Sequence, residues 1–381
     1  MRNNLQPLSF RALFLLCLTA LCLLQMPAQE APETRARVTG RRPPAPRQIA
    51  ERFAPVIYQG LGDTPRMDYI TRFDFDGDWR GDNNWNNAGN KSYTLDAWVY
   101  YSLVETETHY LIHYAFFHPR DYKGGLATST IVGALLNEGL RRAGKDPSGG
   151  LADDVALSHE NDLEGCLVAV EKNSAGQLTV RYVETLAHNK YLKYVPAGSR
   201  AGAGETIELR DQRPVLFVEP RGHGVSKYIG DKQQLKKSVR GVMTYSFSGE
   251  AQNPETATAK NTGYDLVSIY DTLWKQATAK ENETYGETAD FGAYAVQARK
   301  GAATEAGNLE TAIGPLGAAF RGTVGFKNKA RPPWGWFDQA EQNRPAGEFF
   351  LDPAGLLARH FRPGPEFSLV YVFHPYLKIG Q

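Results

Sequence analysis

The sequence predicts an α+β protein that is mainly β, with a β-sandwich core of antiparallel strands and helices inserted between them. Three observations lead there. Aromatic residues reach 11% beside 37 glycines, a composition that favours strands and turns over a helical bundle. Five segments, 97–105, 109–117, 166–172, 178–185 and 214–219, alternate or run apolar and are bounded by turn formers. Helical periodicity, by contrast, surfaces only in isolated stretches.

In chain order, the first feature is a leader. Arg2 and Arg11 precede an apolar run, 12–24, which ends in Met26-Pro27-Ala28. A basic start, a short apolar stretch and a small residue at the cut make a cleavable signal peptide over 1–28. The run is short for a membrane span, so the expected location is secreted or periplasmic, with an uncleaved N-terminal anchor as the lesser alternative and no transmembrane span in the mature chain. Cleavage removes Arg2 and Arg11 and takes the net charge from +1 to −1. Residues 29–48 are rich in Pro, Arg, Ala and Glu and read as a disordered linker. Residues 49–381 read as one large domain, a core over 49–250 with a C-terminal extension over 251–381. Cys166 is the one cysteine past the signal, so no internal disulfide is available, and it reads as a small buried hydrophobe.

Within the domain, 49–58 reads as a short helix broken at Pro55 and then a strand. The segment WVYYSLVETETHYLIHYAFF makes a hairpin turning near Thr106-Glu107-Thr108. Residues 128–143 place Ile131, Leu135, Leu136 and Leu140 on one helical stripe, capped by Gly144. Residues 264–275 carry Leu266, Ile269, Tyr270 and Leu273 at helical spacing. Asp352-Pro353 opens a short helix through His360, because Asp caps and Pro suits the first turn. A final strand, 367–373, returns to the same sheet.

The near-neutral charge and the lack of a basic run exclude a nucleic-acid surface. There is no Gly-x-Ser-x-Gly, no phosphate-binding glycine loop and no His-Glu-x-x-His. The chemistry concentrates in SHENDLEG, 158–165, with His-x-x-Asp-x-Glu spacing. On an extended stretch Asp162 and Glu164 point to one side, and His159 can swing in from the preceding turn. Two carboxylates and an imidazole that converge call for a cation among them. Oxygen ligands suit Ca²⁺ or Mg²⁺, and the histidine leans toward Mn²⁺ or Zn²⁺. The other reading is an exposed polar loop ahead of a strand. In the cation-site reading Glu160 faces solvent or stands behind the ligands, and it is a candidate proton shuttle.

The strand upstream ends in HYAFFHPRD. Its His-Pro-Arg-Asp, 118–121, together with 158–164, resembles the paired elements of the necrosis- and ethylene-inducing-like secreted proteins. The sequence is also similar to the vacuolar protein sorting protein 62 family, whose later Ser-His-Gly segment Arg221-Gly-His-Gly resembles. Four short segments within 97–230 carry the resemblance. Leu163 stands where the family has Trp, Ser158 where it has Gly, and the spacing from Asp121 to His159 is longer than in the necrosis-inducing proteins. The resemblance implies that Asp121, His159, Asp162 and Glu164 bind a metal ion, and that the ion recognises a cell-surface glycan or lipid head group.

A second acidic cluster, FDFDGDWRGDNNWNN, offers Asp74, Asp76, Asp78 and Asp82 at calcium-loop spacing. Trp79 and Trp85 stand where an EF-hand needs Gly and Glu, so it is no EF-hand. It is a different calcium loop, a turn whose Asp and Asn cap their own backbone, or a rim of the main site with Trp79 and Trp85 as stacking surfaces. His118 is a further rim candidate. His223, between glycines, is a candidate general acid or base, with a turn histidine as the alternative. His113 reads as a core group, while His188 and His374 find no partner in the sequence. Loop 331–336 reads as packing over a sheet end, with contact to a ligand as the alternative. Three functions follow: a metal-dependent recognition module, a metal-dependent hydrolase of phosphodiester or glycan bonds, and a protein whose ion is purely structural.

Overall fold

The strand that ends at Asp121 and the strand that begins at His159 form the centre of the molecule. A computed structural model describes residues 45–122, 158–199, 203–257, 260–279, 282–299, 305–324, 329–341, 343–344 and 346–380. The expected signal peptide, nearly all of the expected linker and the expected helix over 128–143 lie outside these residues. Residues 45–381 cluster as one compact unit.

After helix α1 (Pro46–Phe53) the strands run β1 (Val56–Gly60), β2 (Trp98–Thr106), β3 (His109–Asp121), β4 (His159–Lys172), β5 (Leu178–Leu186) and β6 (Tyr191–Pro196). There follow β7 (Glu205–Ile207), β8 (Leu209–Arg210), β9 (Arg213–Val218), β10 (Val225–Lys227), β11 (Val242–Phe247) and β12 (Asn261–Ser268). The last are β13 (Tyr285–Asp290), β14 (Ala293–Arg299), β15 (Ala306–Ala312), β16 (Pro315–Phe320) and β17 (Tyr371–Phe373), with helix α2 (Pro353–Phe361) ahead of β17. The main path of the large sheet is β10-β9-β1-β11-β12-β2-β3-β4-β5-β6-β7, and β13 pairs β16 separately.

The mainly β, α+β class holds, while the expected antiparallel sandwich is replaced by one continuous mixed sheet. Pairs β1–β9, β11–β12 and β12–β2 are parallel. All thirteen residues of β3 are buried, because both faces of the sheet are covered. On one face Tyr110, Ile112, Tyr114 and Phe116 pack with Val99, Leu103, Cys166 and Val168. On the other, Leu111, Ala115 and Phe117 pack with Tyr100, Leu167 and the C-terminal Trp334, Phe349, Phe350 and Leu356. Thr185 Oγ1 donates to Val225 O at 2.7 Å, which ties β5 to β10 and brings the start of the sheet path over its far side.

The hairpin turns where the sequence placed it, and Asp352 caps α2 by accepting from Gly355 N at 3.1 Å. The last strand is shorter than expected, and Tyr371 pairs with Thr106 of β2. Residues 264–268 are strand rather than helix, with a π-helical turn at Tyr270–Trp274 after them. Their apolar spacing fits both periods, and pairing with β11 and β2 on either side decides for the strand. The largest change concerns SHENDLEG. It is not a loop before a strand, because β4 begins at His159.

Four histidines are buried beside neutral partners, His118 on Gln59 among them. His113 meets Phe349 O at 2.8 Å, His374 meets Leu351 O at 3.0 Å, and His109 meets Thr108 Oγ1 at 2.8 Å. Burial pushes His113 and His109 down to about 4 and His374 to about 3. The unfolded chain protonates these rings near about pH 6.5 and the folded chain does not, so stability falls as pH drops from there. His223 and His360, raised by carboxylate partners, oppose this loss above about pH 6.5, where only the folded chain charges them, and add no slope below it. Urea melts are expected to show a loss of roughly 1–3 kcal/mol between about pH 7 and about pH 5, ahead of carboxylate protonation. A flat profile over that range would contradict it.

Candidate metal centre

Antiparallel pairing sets Asp121 opposite His159, Arg120 opposite Glu160 and His118 opposite Asp162. Simple alternation along β4 would put Glu160, Asp162 and Glu164 on one face and His159 on the other. Asn161 breaks this with a φ of 62°, a left-handed conformation that Asn tolerates. Its side chain is locked, with Nδ2 donating to Gly81 O at 2.6 Å and Arg321 O at 2.8 Å while Oδ1 accepts from Asn84 at 2.7 Å. The reversal puts His159 with Asp162 and Glu164, and sends Glu160 elsewhere.

Asp121, His159, Asp162 and Glu164 accordingly line one cavity of about 50 Å³, together with His188, Asn189, Lys329, Arg331 and Trp336. His159 Nε2 stands 3.5 Å from Asp121 Oδ2. Its Nδ1 donates to Glu160 O at 3.1 Å, which turns Nε2 toward the carboxylate. Glu164 Oε1 accepts from His188 N at 3.3 Å. Asp162 Oδ2 accepts from His223 Nδ1 at 2.9 Å. Lys329 and Arg331 offset part of the negative charge. Among the described residues, no three His, Cys, Asp or Glu side chains are drawn together tightly enough to hold an ion. The donor set still fits one in kind: three carboxylates and an available imidazole nitrogen around a space large enough for an ion and a water.

His223 is fully buried and does not line this cavity. It stacks on His118 at 3.7 Å, and its Nε2 lies 3.5 Å from Asp68 Oδ1. Burial alone would lower it, but the bonds to Asp162 and Asp68 raise it to about 9. His223 therefore positions Asp162 rather than meeting a ligand. His118 is also buried, with Nε2 3.0 Å from Gln59 Oε1, and forms no rim. Glu160 is neither solvent-facing nor a shuttle at the cavity. Its carboxylate accepts from Trp85 N at 2.6 Å and Thr323 N at 2.8 Å, pinning two loops.

Trp85 packs in a small core cluster under Arg120, 4.7 Å from the ring centroid, and Trp79 stacks on Phe73. Neither lines the cavity. In the acidic loop every carboxylate has a protein donor. Asp74 accepts from Arg72, Asp76 from Asn87 at 2.6 Å, Asp78 from Arg80 N at 2.8 Å, and Asp82 from Arg80. The loop matches the reading of a turn that caps its own backbone.

Two further neighbours of the cavity stand outside the proposed donor set. His188, in a left-handed turn after β5, lies 3.6 Å from Glu219. His188 and Lys237 hold Glu219 down to about 2 against the effect of burial. Trp336, in the loop that reads as packing or as touching a ligand, donates from Nε1 to Leu163 O at 3.0 Å and walls the cavity.

Neither a family model nor a curated protein matches this sequence. Among solved structures, the non-toxic HaNLP3 protein aligns at 13% identity over 60% of this chain and 77% of its own, with a TM-score of 0.29. NLPPya in complex with glucosamine aligns at 14% identity over 63% and 85%, with a TM-score of 0.30. Necrosis and Ethylene inducing Protein 2, from the causal agent of cocoa's witches' broom disease, aligns at 17% identity over 40% and 57%, with a TM-score of 0.22. At these values the likeness carries no argument about ligand or activity. The chain is similar in structure to the same group of necrosis- and ethylene-inducing proteins that its Asp121 and His159–Glu164 elements resemble.

Proposed function

We propose that this protein binds a divalent cation through Asp121, His159, Asp162 and Glu164, and uses it to recognise an anionic or glycosylated head group outside the cell. The observation that supports this reading is the His159–Asp121 pair. With Nδ1–H committed to Glu160 O, Nε2 faces a carboxylate oxygen at 3.5 Å, and a cation between them would be held from both sides. Three carboxylates favour Ca²⁺ or Mg²⁺, and the imidazole makes Mn²⁺ or Zn²⁺ competitive. Such an ion would supply positive charge to a phosphate or vicinal hydroxyls, while Lys329 and Arg331 add donors at the same wall. Secretion by the 1–28 leader belongs to the same proposal.

The test is calorimetric titration of EDTA-treated protein with each ion, followed by glucosamine, mannosamine and inositol phosphate as probes. One ion is expected to bind with an affinity of about 10 μM or tighter, and at least one probe only in its presence. If no ion binds and chelation leaves the melting temperature unchanged, the reading fails. A stabilising ion without probe binding would make it purely structural.

One observation favours a hydrolase as the second reading. His188 lines the cavity without belonging to the proposed ligands, and Glu219 orients it. Turnover of a phosphodiester or glycan panel that is lost in His188→Gln, with ion binding intact, would put it first.

A further inference from the structure

Beyond Trp336 lies a larger cavity of about 300 Å³, between that ring and the helical turn Glu348–Leu351. Its apolar walls are Tyr191, Phe291, Trp334, Trp336, Phe337 and Phe349. Its acidic groups are already engaged. Asp338 accepts from Tyr191 N at 2.9 Å and Ala340 N at 2.8 Å. Glu341 accepts from Arg359 at 2.8 Å and His360 at 3.1 Å, and Glu348 from Arg344 and Arg359 at 2.9 and 2.8 Å. Arg331 differs. It borders both this cavity and the smaller one, and it lies 5.9 Å over the ring of Phe337. Among the described residues, its guanidinium has no hydrogen-bonded or ion-paired acceptor.

We propose that this cavity binds a small amphipathic anion, a planar ring carrying a phosphate or carboxylate, with the ring among the aromatic walls and the oxyanion on Arg331. Aromatic faces bury a ring and stack on it, and a guanidinium offers paired donors to an oxyanion. An organic cation would find no uncommitted carboxylate. The volume sits at the lower end of the roughly 300–1,000 Å³ of ligand pockets, which limits the ligand to one or two rings. None of this depends on an ion in the neighbouring cavity.

The experiment follows tryptophan fluorescence of the full chain during titration with 1-naphthyl phosphate, with EDTA present so that the cation proposal stays separate. Saturable binding is expected, with 1-naphthol at least about tenfold weaker because it lacks the oxyanion. Arg331→Gln should reduce the phosphate to the level of naphthol. Ala346→Phe, which enters the cavity from an exposed position, should remove both. Circular dichroism and melting confirm that each variant is folded. Absence of saturable binding at millimolar ligand overturns the proposal, as does unchanged affinity in either variant or equal binding of naphthol.

Discussion

Asp162→Asn is expected to fold normally and to lose cation affinity by more than about tenfold, whereas Asp162→Ala is expected to lose both the ion and about 3 kcal/mol of stability. The two variants differ because Asp162 faces two ways. Toward the cavity it offers negative charge beside Asp121, His159 and Glu164. Toward the interior it accepts from His223, which has no solvent exposure and whose other nitrogen lies 3.5 Å from Asp68. Asparagine keeps an acceptor for Nδ1–H but removes the charge that a cation requires. Alanine leaves a buried imidazolium half paired, and burial makes that costly. Equal stability of the two variants would remove His223 from its positioning role. Undiminished ion binding in Asp162→Asn would remove Asp162 from the ligand set.

Gly165→Ala is expected to destabilise the protein by about 3 kcal/mol or more, measured by urea denaturation. A β-carbon at this position would overlap the carbonyl oxygen of Tyr114 on the neighbouring strand. It would also lie 2.9 Å from Ala115 Cα and 3.0 Å from the Trp336 ring. Two of these neighbours are backbone in the most buried part of the sheet, so they have little room to yield. The third is the ring that walls the ion cavity, and its shift would break the Nε1 bond to Leu163 O. Near-native stability of Gly165→Ala would show that β3 and β4 separate more easily than their packing implies.

Much of the scaffold was legible because it is written in local patterns. Alternating and continuous apolar runs marked β2, β3, β5 and β9, and Asp352-Pro353 marked α2. The reading failed where two periods coincide, as at 264–268, and where strands are short or polar, as in the mostly exposed β13 and β15. There the hydrogen bonding of a distant strand decides, and no local window contains it.

The candidate site divides in the same way. By itself the sequence offered His159, Asp162 and Glu164 as donors through their spacing, and Asp121 through the resemblance that His-Pro-Arg-Asp carries. Which of them share a face was decided in three dimensions by Asn161. Its left-handed turn depends on Gly81, Asn84 and Arg321, none of them a sequence neighbour. The burial of His118, Trp85 and His223, the arrival of His188, and the Trp336 wall between the two cavities were decided there as well. The physical reason is that composition and spacing fix a side chain's chemistry and its local direction. Its burial, partners and charge state depend on what long-range packing lays against it.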